Sequence, residues 1–269
     1  MSSMLRISSL LLAVSAVWPG ASAWAGDGRE WDDARVRAMQ GHELAVHQSI
    51  DRWKQLLASD RLGFAAYSQF LMAYPGYPQE EKIRGFAERA LLTESPAPDA
   101  VIAFFDRFPP ISSEAAGRYA TALAAVRRFD ARDKAVAAWR GGGLAPNAEA
   151  TLLSLYRDVL TQADHDARMD ALLWQGETGQ AERQVSFVSA ARRALFMERL
   201  ALLQGSPPGS LGLTLPAAVG ADPGYVFNRA VQARRSGNLA GAATLLADRP
   251  LLAAPVRDAE KWVRELLTA

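Results

Sequence analysis

From Asp32 onward, apolar residues recur at steps of three and four, the spacing that lines one face of a helix. Between Ala148 and Gln162, Leu152, Leu155, Tyr156, Val159 and Leu160 form one stripe. Asn147 is placed to cap that helix, with Pro146 just outside it. The same spacing appears in Val101-Phe104-Phe105-Phe108, in Met169-Leu172-Leu173 and in Val188-Leu195-Leu202. Strict alternation of apolar and polar positions, the mark of a half-buried strand, is essentially missing beyond four residues. The pattern predicts an all-α protein.

The interruptions recur along the chain. Pro75-Gly76-Tyr77-Pro78, Ser95-Pro96-Ala97-Pro98, Pro109-Pro110, Gly141-Gly142-Gly143, Gly176 to Gly179, Gly205 to Gly209, Pro223-Gly224 and Ser236-Gly237-Asn238 each break the helical pattern. Most intervals hold one or two ordinary helices, on the order of 10 to 25 residues. This predicts stacked helical hairpins, an irregular α-superhelix (solenoid) in which each pair covers its neighbour's apolar face. No fixed 34-residue pattern superposes on the chain, which disfavours a regular tetratricopeptide array. Near the C-terminus, Gly237 to Leu246 reads as the second helix of a hairpin, and Trp262 to Leu267 begins another helix with no sequence partner. The α-superhelical domain, 26–269, is therefore expected to be truncated at that end, with Leu266 and Leu267 exposed.

Residues 1–25 read as a signal peptide. Arg6 gives a short basic start, Leu10 to Trp18 an apolar stretch, and Ala23-Trp24-Ala25 the small residues of a cleavage site near Ala25. Nine helical residues rise only about 14 Å, roughly half of a ~30 Å hydrocarbon core, which favours a cleaved signal over the alternative, an uncleaved membrane anchor. One arginine before the apolar run does not make a twin-arginine signal. The expected destination is the periplasm, with no membrane span after cleavage.

Composition narrows the chemistry. Hydrophobic residues make up 49% of the 269 and charged residues 22%, as in a globular protein. There is no cysteine, which excludes disulfides, zinc–thiolate sites and thiol nucleophiles. Lys plus Arg number 30 against 29 Asp plus Glu, so nothing points to nucleic acid as a partner.

No convergent catalytic set is visible. His42 and His47 are five apart and diverge by roughly 140° on a helix, so they do not share a metal-binding face. His165, between Asp164 and Asp166, is expected in an inter-helix turn. Gly141-Gly142-Gly143 is followed by no Gly-Lys-Ser/Thr and reads as a helix stop. Glu80-Glu81 and Asp258-Glu260 suit the positive ends of helix dipoles, and Arg192-Arg193 and Arg234-Arg235 read as solvated helix faces. No Gly-x-Ser-x-Gly elbow occurs. Five tryptophans follow residue 25; Trp139 and Trp174, near helix ends, are expected to pack between hairpins, the alternative being stacking against a sugar. The sequence thus offers no catalytic, cofactor-binding or metal residues.

Three segments carry a resemblance. They are Asp164-His165-Asp166-Ala167-Arg168-Met169-Asp170-Ala171-Leu172-Leu173-Trp174-Gln175-Gly176 with Gln180-Ala181-Glu182-Arg183, then Pro223 to Ala230 with Arg234 to Asn238 and Ala242 to Leu246, then Glu260-Lys261-Trp262-Val263-Arg264-Glu265. In order and spacing they resemble the N-terminal superhelical domain of periplasmic soluble lytic murein transglycosylases, over most of residues 30–269. Val263 stands where that family commonly has a second aromatic. The resemblance implies a cell-wall role: the family cleaves the bond between N-acetylmuramic acid and N-acetylglucosamine with formation of an anhydro product. One glutamate of a C-terminal lysozyme-like domain serves as acid and then base. Its Glu-Ser motif has one counterpart here, Glu94-Ser95, but Pro-Ala-Pro follows and the surrounding signatures are missing, so Glu94 reads as a helix end. The expected function is the non-catalytic scaffold portion of such an enzyme, inactive alone, with peptidoglycan strands or cell-wall proteins as partners. The alternative is a stand-alone periplasmic tetratricopeptide-like scaffold for protein partners.

Overall fold

The computed structural model describes residues 29–268, so the signal-peptide reading and its cleavage near Ala25 lie outside the described residues. Among those residues the protein is all-α, with no strand. The chain divides into two units, one ending at Lys54 and the other spanning Gln55–Ala269. Helix α1 (Arg29–Ala58) contains the boundary. In the first unit, Val36, Met39, Leu44 and Val46 are exposed.

The second unit contains α2 (Phe64–Ala73), α3 (Glu80–Ala90), α4 (Pro98–Arg107), α5 (Ser113–Ala125), α6 (Ala131–Arg140), α7 (Pro146–Tyr156), α8 (Gln162–Gln175), α9 (Thr178–Gln184), α10 (Ala190–Leu203), α11 (Pro223–Arg235), α12 (Leu239–Ala247) and α13 (Ala259–Thr268). A 3-10 turn, Val219–Ala221, precedes α11. Packing is mainly between near neighbours in sequence: α5 meets α4, α6 and α7, α8 meets α6, α9, α10 and α11, and α11 meets α10, α12 and α13. The core is correspondingly serial. Trp139, Leu144 and Leu152 form one cluster, Met169, Leu172 and Phe196 the next, and Trp174, Phe227 and Trp262 another.

Helix starts follow side-chain chemistry. Pro98, Pro146 and Pro223 occupy first turns, where the missing N–H costs nothing. Thr161 and Asp164 form a reciprocal capping box at α8. At two starts the cap is itself held from an earlier helix. Glu88 of α3 accepts from the backbone N–H and hydroxyl of Ser112, both at 2.8 Å, at the start of α5. Asp166 of α8 accepts from the N–H of Ser189 at 2.8 Å and from its hydroxyl at 2.7 Å, at the start of α10. Both acids are buried. A charged acceptor satisfies an otherwise open amide at each helix start and ties two hairpins together.

Several boundaries differ from the sequence reading. The helix expected over 148–162 ends at Tyr156, because the Thr161–Asp164 box starts a new helix at Gln162. Its N-cap is Ala145 rather than Asn147, since Pro146 enters the first turn. Leu155, expected on the buried stripe, is exposed, while Leu152 and Leu160 are buried. Val188 is buried but lies before α10, whose N-cap is Ser189. Pro223-Gly224 opens α11 instead of breaking a helix. The last helix, expected to lack a partner, packs on α11: Trp262 joins the core there, and Arg234 donates to both Glu265 oxygens at 2.7 and 3.1 Å. Its outer residues Val263, Leu266 and Leu267 are exposed, as expected for the last two.

Candidate functional site

His165 stands in the first turn of α8, not in an inter-helix turn, and it is buried. The capping box begins the helix upstream of it, and the ring packs inward. There it meets Trp139 edge to face at 5.6 Å and stacks on Phe187 at 5.1 Å. The Gln184 amide nitrogen lies 3.1 Å from Nδ1 and donates to the His165 carbonyl at 3.2 Å. Burial pushes the imidazole pKa below its ordinary value of 6.5, the neighbouring Asp164 charge opposing only in part. The folded state therefore resists protonation of the ring more than the unfolded chain, which takes up a proton near pH 6.5. This contribution to stability is complete above that pH and is lost as pH falls below it, at no more than about 1.4 kcal/mol per pH unit. Denaturant unfolding between pH 7.5 and 5.5 should show this slope, and His165→Phe should flatten it; an equal slope in both proteins would refute the assignment.

The other polar residues of the 164–183 segment also reach neighbouring hairpins. Arg168 is completely buried, with its guanidinium 3.9 Å from the Trp139 ring centre and 3.4 Å from Glu149. Burial lowers its pKa to about 10, against the pull of Glu149, so it stays charged at neutral pH. Asp170 holds Arg199 at 2.6 Å, and Arg183 reaches Glu149 at 2.9 Å. Asp164 accepts from Arg140; burial opposes its ionisation, but the Thr161 hydrogen bonds and the Arg140 guanidinium outweigh this and keep its pKa low.

In the Pro223 to Ala230 segment, Asn228 accepts from Arg199 Nε at 2.9 Å. A Cβ on Gly224 would lie 2.3 Å from the Arg199 guanidinium carbon. Only glycine leaves space for that buried side chain.

The glycine run after α6 is a filled turn. The Gly143 N–H donates to Gln175 at 2.8 Å, the Leu144 N–H donates to Gln180 at 3.1 Å, and a Cβ on Gly142 would meet Gln175 at 2.4 Å. These amides are spent on side chains and do not cradle an anion. Glu94 accepts the N–H of Phe64 at 3.0 Å, tying the loop after α3 to the start of α2. Trp139 and Trp174 are both buried in packing, the latter stacked on Phe227 at 4.5 Å. Arg192 and Arg234 are not simply solvated: Arg192 lies over Phe196, and Arg234 is tied to Glu265. His47 Nδ1 lies 2.8 Å from the Glu43 carbonyl oxygen, and the His42 side chain lies outside the described residues. Among the described residues no group of three His, Asp or Glu could hold a metal ion.

One candidate ligand site is an arrangement the sequence did not disclose. A cleft of about 310 Å³ opens between the C-terminal turns of α8 and α10 and the sides of α11 and α13. Its floor is apolar, from Leu173, Leu203, Phe227 and Val231, and its rim carries Arg235, Lys261 and Arg264. Glu265 is the one acidic lining residue, and it is engaged by Arg234. Lys261 donates to the Trp174 carbonyl at 2.9 Å and lies 3.8 Å from Asp258. Arg264 pairs with exposed Glu260 at 2.5 Å, and Arg235 is exposed with no ion pair among the described residues. The Lys-x-x-Arg spacing in α13 places both cations toward one side of the helix, a signal visible only once that helix has a known neighbour.

Comparison of the chain with protein-family models, curated proteins and solved structures gives no match.

Proposed function

We propose that this chain is the non-catalytic helical scaffold portion of a periplasmic soluble lytic transglycosylase, built as an irregular α-superhelix. Glycan cleavage belongs to a lysozyme-like domain whose signatures the sequence does not contain. One observation carries the reading: the segment at 164–183, the first of the three that resemble the family, is the hairpin that joins neighbours on both sides. Arg168 and Arg183 reach back to Trp139 and Glu149, while Asp166 and Asp170 reach forward to Ser189 and Arg199. A residue set that links successive hairpins is what a stacked scaffold requires.

The full chain incubated with intact sacculi should be retained above a denatured control and should release no anhydro-muropeptides. Retention equal to the control would overturn glycan affinity, and release of anhydro products would overturn the non-catalytic assignment. A second reading, a tetratricopeptide-like scaffold for protein partners, is favoured by the exposed Val263, Leu266 and Leu267 of α13.

A further inference from the structure

We propose that the cleft between α8, α11 and α13 binds the free carboxylate end of a cell-wall stem peptide; this rests on the scaffold reading above and names its ligand. Three features of the cleft select that chemistry. Arg235 is a charged donor without an ion pair among the described residues, Lys261 and Arg264 line the same cleft while engaged by Asp258 and Glu260, and the one acidic lining residue, Glu265, is held by Arg234. An Arg fork with a second cation beside it suits a planar carboxylate.

The C-terminal turns of α8 and α10 form part of the wall; helix ends of that polarity offer carbonyl oxygens and no open amide N–H, although the Trp174 carbonyl is taken by Lys261. Such oxygens accept peptide N–H groups and repel a dianionic phosphate, which would seek amide N–H donors instead. The floor of Leu203, Phe227 and Val231 takes a short alkyl side chain. Neutral sugar hydroxyls would not require three cations, and the aromatic faces of Trp174 and Phe227 are already stacked on each other. About 310 Å³ lies at the small end of the range for ligand pockets, which suits a terminal residue or two and not a disaccharide.

Each contact uses a different part of one ligand. The terminal carboxylate lies between Arg235 and Lys261, the preceding amide faces the end of α8, and the side chain rests against Val231. Arg235 is the decisive group because it is exposed and has no ion pair among the described residues, so replacing it leaves the fold unchanged.

The test is titration calorimetry of the full chain with N-acetylmuramyl tetrapeptide, which ends in a D-alanine carboxylate, against its C-terminal amide and against acetyl-L-alanyl-L-alanine. The acid should bind saturably. Its affinity should fall at least about tenfold on amidation or in Arg235→Gln, the loss expected for one charge-assisted hydrogen bond. Arg235→Lys should restore part of it. No saturation at millimolar ligand, equal binding of the amide, or an unchanged Arg235→Gln protein overturns the proposal; so does equal binding of acetyl-L-alanyl-L-alanine, which would make the ligand a protein C-terminus. Sacculus retention separates the two readings. Retention unchanged in Arg235→Gln sinks the cleft and leaves the scaffold standing, whereas tetrapeptide binding without sacculus retention does the reverse.

Discussion

Arg199→Ala should destabilise the protein by about 3–5 kcal/mol, the cost of removing one partner from a buried ionic network. The side chain is completely buried and bridges Asp170 of α8 and Asn228 of α11. Its loss leaves the Asn228 amide without this partner and Asp170 with only Arg257, 3.5 Å away, while opening a cavity between three helices. Arg199→Met fills much of that volume and should cost less. Gly224→Ala attacks the same contact from the other side. Its methyl group would press on the guanidinium at 2.3 Å, and Arg199 cannot swing away while Asp170 and Asn228 hold it, so a loss of about 1–3 kcal/mol is expected. In Arg199→Ala/Gly224→Ala the clash is absent, so the two losses should fall short of additive by at least about 0.5 kcal/mol. Chemical denaturation of the four proteins measures this cycle. Strict additivity, or a loss below about 1 kcal/mol for Arg199→Ala, would show that the network does not hold α10 against its neighbours.

Trp139→Ala is the second large effect, expected at about 3–5 kcal/mol from transfer and cavity formation. Trp139 is buried at the end of α6, beneath the Arg168 guanidinium and against the edge of His165. Removing it also takes away the cation–π partner of a charge that has little water around it, since Arg168 Nε and Nη1 have no hydrogen-bond partner. Trp139→Phe keeps a ring under Arg168 and deletes the indole N–H, which is itself unpaired. It should therefore cost less than half as much. Thermal unfolding of both variants tests this order, and equal losses would contradict it.

The helical class could be read from the sequence because apolar spacing reports local periodicity directly. Leu152, Met169, Leu172 and Leu173 are all buried as their spacing requires. Boundaries were harder where tertiary partners decide them. Nothing local in Asn147 or Pro146 reveals which of them sits inside the helix, and the start of α8 depends on Thr161 and Asp164 bonding to each other. The burial of His165 was hidden for the same reason: a histidine flanked by two aspartates looks solvated until Ser189 and Arg140 claim those carboxylates. The cleft was least legible of all. Arg235 and Lys261 are remote in sequence, and only the packing of α13 on α11 gathers them around one floor.

The two borrowed caps have a consequence for how the molecule is made. Glu88 precedes the serine it holds by 24 residues, and Asp166 precedes its own by 23. In each case the acid is synthesised first, so when the next serine emerges its receptor is already waiting on finished structure. A chain delivered N-terminus first can then grow by accretion, each new coil seeded by the one before it, without waiting for its far end.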